Sequence, residues 1–470
     1  MKKIIQLMCL FLIALAMGCA STRTQLENRQ REFSEQRFGM FICYNIMSYG
    51  ARWGEANHSI DEFNPQGLDC DQWADAAISA GMTYGLLTTK HHEGFCLWDS
   101  ATTEYDVGGT EYKQDIVKKF VESFRKKDLG VGLYYSIWDS THGITKEPLT
   151  RDRVEFIKTQ LTELLTNYGK IDFLFFDGWY WKTGHNEVSF REIRNLIREL
   201  QPECLVSDNT HIQGYYRNDY VMFEWPMGAY PPEDNRLCSA ICSKIIGGNG
   251  WFWGKKTTGL TGTDPNEVVK SLKEFEERYC TYMLATLPDR NGLLEENQLT
   301  CLAEIGKLWE PDTTRPPLPA QPKFISYSVM PKSAEASSGD ASLAIDGRMN
   351  GNKYTEWITD GAFPQHITID LGESWSGLEA LTCVPAHKMK PERSVVDGNV
   401  TQYRIYLSTN NEDFTQVGEG EWEADARVHT ATFDRSAARY VKFEILAAHG
   451  GAAQVGEIDI GAWSAEPKAK

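Results

Sequence analysis

Tyr168-Gly-Lys-Ile-Asp-Phe-Leu-Phe-Phe-Asp177-Gly-Trp-Tyr-Trp181 carries a largely apolar run, Ile171 to Phe176, that stops at a carboxylate. A run of this kind reads as a strand buried on both faces, with Asp177 as its last residue. In a parallel (β/α)8 barrel the carboxyl ends of the strands floor the site, so a carboxylate there, followed by glycine and three aromatics, points to a charged group facing a sugar-sized pocket. The plain alternative is an aspartate capping the next helix.

Working outward, the same pattern recurs. Short apolar runs at Phe38–Asn45, Tyr84–Lys90, Val131–Ser136, Ile171–Asp177, Cys204–Asp208, Tyr220–Trp225, Trp251–Trp253 and Tyr282–Leu287 make eight candidate strands. Helical stripes lie between them, Ile116/Val117/Phe120/Val121/Phe124 and Phe190/Ile193/Leu196/Ile197/Leu200. Strand and helix in alternation predict an α/β fold, a (β/α)8-like barrel over 31–311. A proline-rich linker follows at 312–322. Beyond it the period changes to two, in His366–Leu371, Tyr403–Ser408 and Tyr440–Ile445, which predicts an all-β sandwich over 323–465.

The chain has 470 residues, 41% of them hydrophobic and 12% aromatic, enough for two folded units. Its net charge of −17 argues against nucleic acid or an anionic membrane surface as partner and favours a neutral ligand. Residues 1–18 read as a lipoprotein-type signal peptide: Met1-Lys-Lys, an apolar Ile4–Ala16, then Ala16-Met-Gly-Cys19 with Cys19 as the lipid-bearing residue. A plain secretory cut near Gly18 is the alternative. The expected location is the periplasm or cell envelope of a bacterium, with membrane contact only through the lipid, or the exterior. Nine cysteines remain with no CxxC pair, which implies buried thiols rather than a zinc site or a disulfide framework.

Two further strand ends hold chemistry. Lys90-His91-His92-Glu93-Gly94 closes the second run, and because adjacent histidines on an extended segment point to opposite sides, sugar-hydroxyl contacts are expected rather than one shared metal ion. Tyr220-Val-Met-Phe-Glu224-Trp225 closes the sixth, where Phe223 and Trp225 are expected to desolvate Glu224 and raise its pKa, as a general acid needs. Two carboxylates at the mouths of different strands meet the demand of glycoside hydrolysis.

These motifs resemble glycoside hydrolase family 29, the α-L-fucosidases. The residues that carry the resemblance are Arg37–Ile42, Phe63-Asn-Pro, Asp71-Gln-Trp73, Thr89-Lys-His-His-Glu-Gly-Phe-Cys-Leu-Trp98, Gly132–Ser136 and Tyr168 through Gly178, in the family's order. It implies a retaining exo-glycosidase that releases terminal α-L-fucose, 1,3/1,4-linked, from fucosylated oligosaccharides or glycoconjugates. It implies Asp177 as nucleophile, Glu224 as acid/base and His91 and His92 as the sugar-binding pair, with no metal in the barrel and no cofactor for catalysis; Glu93, Trp98, Tyr134 and Trp225 are further expected substrate contacts. One departure stands out: the family's His-Trp-Gly at the end of strand one is Cys43-Tyr44-Asn45 here, which leaves a related galactoside, or an inactive glycan-binding barrel, as alternatives. The second unit resembles the coagulation factor 5/8 type C (discoidin-like) module through Ala344-Ile-Asp-Gly347, Thr355-Glu-Trp357, Ile369-Asp-Leu-Gly372, Gly398–Tyr403 and Ala438–Phe443. That resemblance implies a candidate carbohydrate-binding module and an optional structural calcium.

Overall fold

A computed structural model describes residues 25–463 apart from 146–147, 227–229, 246–249, 255–256, 258–261, 323–326, 349–354 and 387–396. The signal segment and Cys19 therefore lie outside the described residues.

The barrel strands are β1 (Phe38–Ile42), β2 (Tyr84–Lys90), β3 (Gly130–Ser136), β4 (Phe173–Asp177), β5 (Leu205–Asp208), β6 (Val221–Glu224), β7 (Ser239–Lys244) and β8 (Cys280–Thr286). All seven ladders are parallel. The order is β5-β4-β3-β2-β1-β8-β7-β6, so no ladder joins β5 to β6 and the barrel wall carries a seam there. Helices α1 (Cys70–Ser79), α2 (Ile116–Lys126), α3 (Arg151–Thr166), α4 (Phe190–Leu200), α5 (Pro265–Glu277) and α6 (Glu296–Leu308) surround it, and among the described residues none falls between β5 and β7.

The helices form where the sequence provides a stripe and a cap. The stripe Ile116, Val117, Phe120, Val121 and Phe124 of α2 is buried, and Asp115 accepts the Lys118 amide at its start. Ser189 does the same for α4 through the Glu192 amide. Each fully buried aliphatic or aromatic side chain contributes about 1.5–3 kcal/mol of transfer free energy, so these faces pin the helices to the barrel.

The expected seventh strand was misplaced. Ser239-Ala-Ile-Cys-Ser-Lys244 is β7, whereas Trp251–Trp253 is irregular and lines the pocket mouth, Trp251 against Phe41 and Phe252 against His91. The β7 segment holds only three consecutive apolar residues, Ala240-Ile-Cys242, flanked by polar ones, so no apolar run announces it.

The C-terminal unit is an antiparallel eight-stranded arrangement built on two long bent strands, Gln365–Pro385 and His429–Ala448. Register shifts at Asp370/Trp375, Trp375/Leu378 and Leu378/Ala380 mark the bends. Its own core gathers Trp357, Ile367, Ile369, Leu381, Phe443 and Ile460. Segment 312–322 is tied to the barrel: Arg315 donates to the carbonyls of Glu276 and Ser34, and Gln321 accepts from the Cys238 amide.

Candidate active site

Asp177 ends β4 as read, and its carboxylate is held at both oxygens. The Tyr134 hydroxyl donates to Oδ2 at 2.8 Å, while the Trp181 indole at 2.8 Å and the Gly178 amide at 2.6 Å donate to Oδ1. Gly178 has to be glycine: its φ is 62°, and a Cβ would stand 2.6 Å from the Cβ of Trp138. The chain thereby reverses directly after the carboxylate into a π-type turn, Trp179–Thr183, which delivers Trp181 back to Asp177. Burial and the Asp177 charge push the Tyr134 hydroxyl well up, so it stays a proton donor.

Glu224 ends β6. Its Oε2 accepts from Asn209 Nδ2 at 2.7 Å and lies 3.9 Å from His211 Nε2. Burial first, and the negative charge of Asp177 second, push its carboxyl up to about 7, against smaller opposing effects from Asn209 and Lys244. The two carboxylates thus sense each other within one pocket. One is tied down by three donors and the other is able to hold a proton near neutrality.

His91 and His92 come together rather than apart. The chain turns at His91, where the Gly94 amide donates to the His91 carbonyl, and the two imidazole centroids are 4.0 Å apart on the pocket side. This overturns the expectation of opposite faces, which holds only for an extended chain. His91 Nδ1 is 2.7 Å from Glu93 Oε2, and Glu93 Oε1 accepts the Gly54 amide. Ser136 Oγ donates to the Trp138 carbonyl, so His92 Nδ1, 2.6 Å away, is the donor to that oxygen. Burial holds the His92 imidazole well below its ordinary pKa. Neutral in that tautomer, it presents a bare Nε2, 3.8 Å from Asp177 Oδ2 and without a hydrogen-bond partner, to any hydroxyl that enters. Beneath the pair, Lys90 and Asp139 form a sealed ion pair at 3.0 Å that fixes β2 to the loop after β3.

Two expected contacts stand elsewhere. Trp98 is buried outside the barrel bore, where its indole donates to Glu163 of α3 at 2.7 Å. Trp225 alternates to the outer face of β6: it is 44% exposed and packs on Tyr230, which in turn packs on Phe275 of α5. It does not desolvate Glu224. Phe223 and Trp225 flank Glu224 in sequence, and strand alternation sends both away from it.

Other residues at the site escaped the sequence reading. Trp53, 49% exposed, stands edge-on to His91 and His92 at 4.7 and 4.9 Å. Trp138 stacks on His92 at 4.5 Å, and Lys244 faces Glu224 from the end of β7. Asn209 follows the last residue of β5, so the rule that strand ends carry the chemistry would have found it. Cys43 is buried at the end of β1, and burial with the nearby Glu224 charge keeps its thiol protonated.

With this geometry in view, the chain matches the family described as alpha-L-fucosidase over residues 48–311 and the F5/8 type C domain over 329–458. It is 26% identical over 309 residues to alpha-L-fucosidase 1 of Arabidopsis thaliana, covering 60% of this chain and 59% of that one. It is also 26% identical over 328 residues to tissue alpha-L-fucosidase of Mus musculus, covering 58% and 68%. Among solved structures, a putative alpha-L-fucosidase from Bacteroides thetaiotaomicron shares the fold with a TM-score of 0.51 at 19% identity, over 93% of this chain and 97% of that one.

Proposed function

This chain belongs to the alpha-L-fucosidase family of glycoside hydrolases, and from that premise we propose that it releases terminal α-L-fucose, 1,3/1,4-linked, from fucosylated glycans by double displacement. The observation that carries the reading is the pairing of a three-donor carboxylate, Asp177, with a carboxyl raised to about 7, Glu224, in one pocket.

In the first step an Asp177 oxygen attacks the anomeric carbon and the glycosidic bond breaks, with the Glu224 proton passing to the departing oxygen. Esterification then removes the Asp177 charge, which is one of the causes of the high pKa of Glu224. Glu224 therefore becomes more acidic at the moment it must accept a proton from water. Water attacks the anomeric carbon, its proton goes to Glu224, and Asp177 leaves as the carboxylate. His92 Nε2 accepts from a sugar hydroxyl, and the indoles of Trp53 and Trp138 wall the ring.

Turnover of an aryl α-L-fucoside, with no turnover of an aryl β-D-galactoside, is the expected result. The reverse preference would move the substrate to the galactoside alternative. With a fucosyl disaccharide, whose leaving group needs a proton, kcat/KM should fall as pH rises through about 7, because Glu224 is the required acid only while protonated. A profile flat to pH 9 would remove Glu224 from that role.

In the C-terminal unit the half-buried Asp346 lies near the buried Glu457, partial burial pushes the Asp346 carboxyl up to about 6, and Thr355 Oγ1 contacts both Asp346 and the Arg348 carbonyl. Among the described residues no group of three His, Cys, Asp or Glu side chains is arranged to hold a metal ion. A structural calcium would therefore rest on two carboxylates with hydroxyl and carbonyl oxygens, a donor set that suits a hard cation. Chelator is expected to lower the unfolding temperature by a few degrees with calcium restoring it, and no shift on chelation would exclude the ion.

A further inference from the structure

The seam between β5 and β6 is crossed by residues 209–220, which among the described residues hold no helix of their own, although Gln30 and Arg194 each donate to Asp219 near its far end. This segment has two sides. Its inner residues reach the acid/base: Asn209 donates to Glu224 at 2.7 Å, and His211 Nε2 stands 3.9 Å from the same oxygen. His211 does so with a φ of 56°, in the left-handed region that a residue with a Cβ seldom adopts without support from its surroundings.

That support comes from the C-terminal sandwich. Ile212, 1% exposed, is buried with Tyr180, Tyr216 and Val384, and Val428 packs on the group. The Gln213 carbonyl accepts the Val428 amide at 2.9 Å, and Gly214 runs so close that a Cβ would stand 2.8 Å from the Val428 Cβ. Further along, Arg217 pairs with Asp459 at 3.0 Å, both buried. A second tie reaches the other carboxylate. The sandwich holds the chain just past Trp181 through His185 N to the Gly347 carbonyl and Asn186 Nδ2 to the Ile345 carbonyl, both 2.9 Å, while Asp208 accepts from the Tyr180 amide within the same turn.

We propose that the C-terminal sandwich is a working part of the catalytic apparatus: by gripping Ile212, Gln213 and Arg217 it sets where Asn209 and His211 stand against Glu224, and so positions the proton-transfer group. A sandwich that only covered the seam would affect stability and leave the chemistry alone. One that positions Asn209 and His211 governs how well Glu224 serves a leaving group that needs its proton.

The kinetic arm rests on the fucosidase reading, so a second arm independent of turnover accompanies it. In the full chain, Ile212→Ala on the barrel side and Val428→Ala on the sandwich side each remove packing without touching either carboxylate, and Ile212→Val keeps most of it. In both alanine variants kcat on a fucosyl disaccharide is expected to fall about tenfold, and on an activated aryl fucoside less than about threefold. KM should stay within about twofold, and Ile212→Val should behave as the parent does. Amide exchange of 209–214, followed by mass spectrometry, should quicken at least about tenfold in the alanine variants. Unchanged exchange overturns the grip. Faster exchange with an unchanged disaccharide-to-aryl ratio overturns the positioning role and leaves a cover. A parent that cleaves no fucoside defeats the functional reading, and the exchange arm still decides the grip.

Discussion

Asp177→Asn is expected to lower kcat/KM on an aryl α-L-fucoside at least about a hundredfold while leaving the fold in place. The nucleophile acts in both steps, forming the bond to the anomeric carbon and then leaving it, so its loss cannot be offset by binding elsewhere. Asparagine is close in shape, and the change in charge falls on donors that can adapt. One oxygen can still accept from the Gly178 amide and the Trp181 indole, and the Tyr134 hydroxyl can rotate to accept from the new amide instead of donating. An unfolding temperature near that of the parent, with activity gone, is the expected pair of measurements. Activity within tenfold of the parent would remove Asp177 from the nucleophile role.

The second large effect concerns Glu224→Ala, and its size should depend on the substrate. A glycan leaving group needs a proton as the bond breaks, so turnover of a fucosyl disaccharide should fall by about a hundredfold or more. An aryl leaving group with a low pKa needs little help, so its first step should be nearly preserved and the loss should appear in the second. Azide should then restore aryl turnover in part, since a small anion can enter the vacated space and attack without a general base. A glycosyl azide of retained configuration reports attack on an ester of Asp177, and an inverted one reports direct displacement on the substrate. Equal losses on all substrates with no rescue would take Glu224 out of the mechanism.

What was legible in the sequence follows one physical rule. Where an apolar strand stops at a charged residue, the residue is at the mouth of the barrel, and Asp177 and Glu224 were both found that way. The stripes of α2 and α4 were equally plain, because burial on one face repeats every 3.6 residues. The rule fails where proximity in sequence replaces direction in space. Trp98 and Trp225 sit within the motifs, yet one bonds to the helix layer and the other alternates outward from Glu224. The end of β2 at Lys90 was legible, but the expectation of opposite faces for His91 and His92 treats the chain beyond it as still extended, and the turn that brings them together is a tertiary feature. Trp53 and His211 lie on irregular segments with no period, and Lys90 meets Asp139 across 49 positions of chain. Pairings of that kind belong to the tertiary fold and leave no mark in either segment.

The open seam also has a meaning for how the molecule is made. A chain is synthesised from its N-terminus, and domains generally fold as units in that order. Here β1 to β8 are complete by Thr286, but Val384, Val428 and Asp459, which pack on the seam from outside, are made only afterwards. Until then Ile212, Tyr216 and Arg217 have no cover, so the nascent barrel waits with an apolar and charged flank exposed. If the sandwich positions Asn209 and His211 as proposed, catalytic competence arrives only once it has folded against the barrel, rather than when the barrel strands are finished. A chain that stops after β8 holds both carboxylates and their donors but lacks Val384, Val428 and Asp459, which brace the segment beside Glu224.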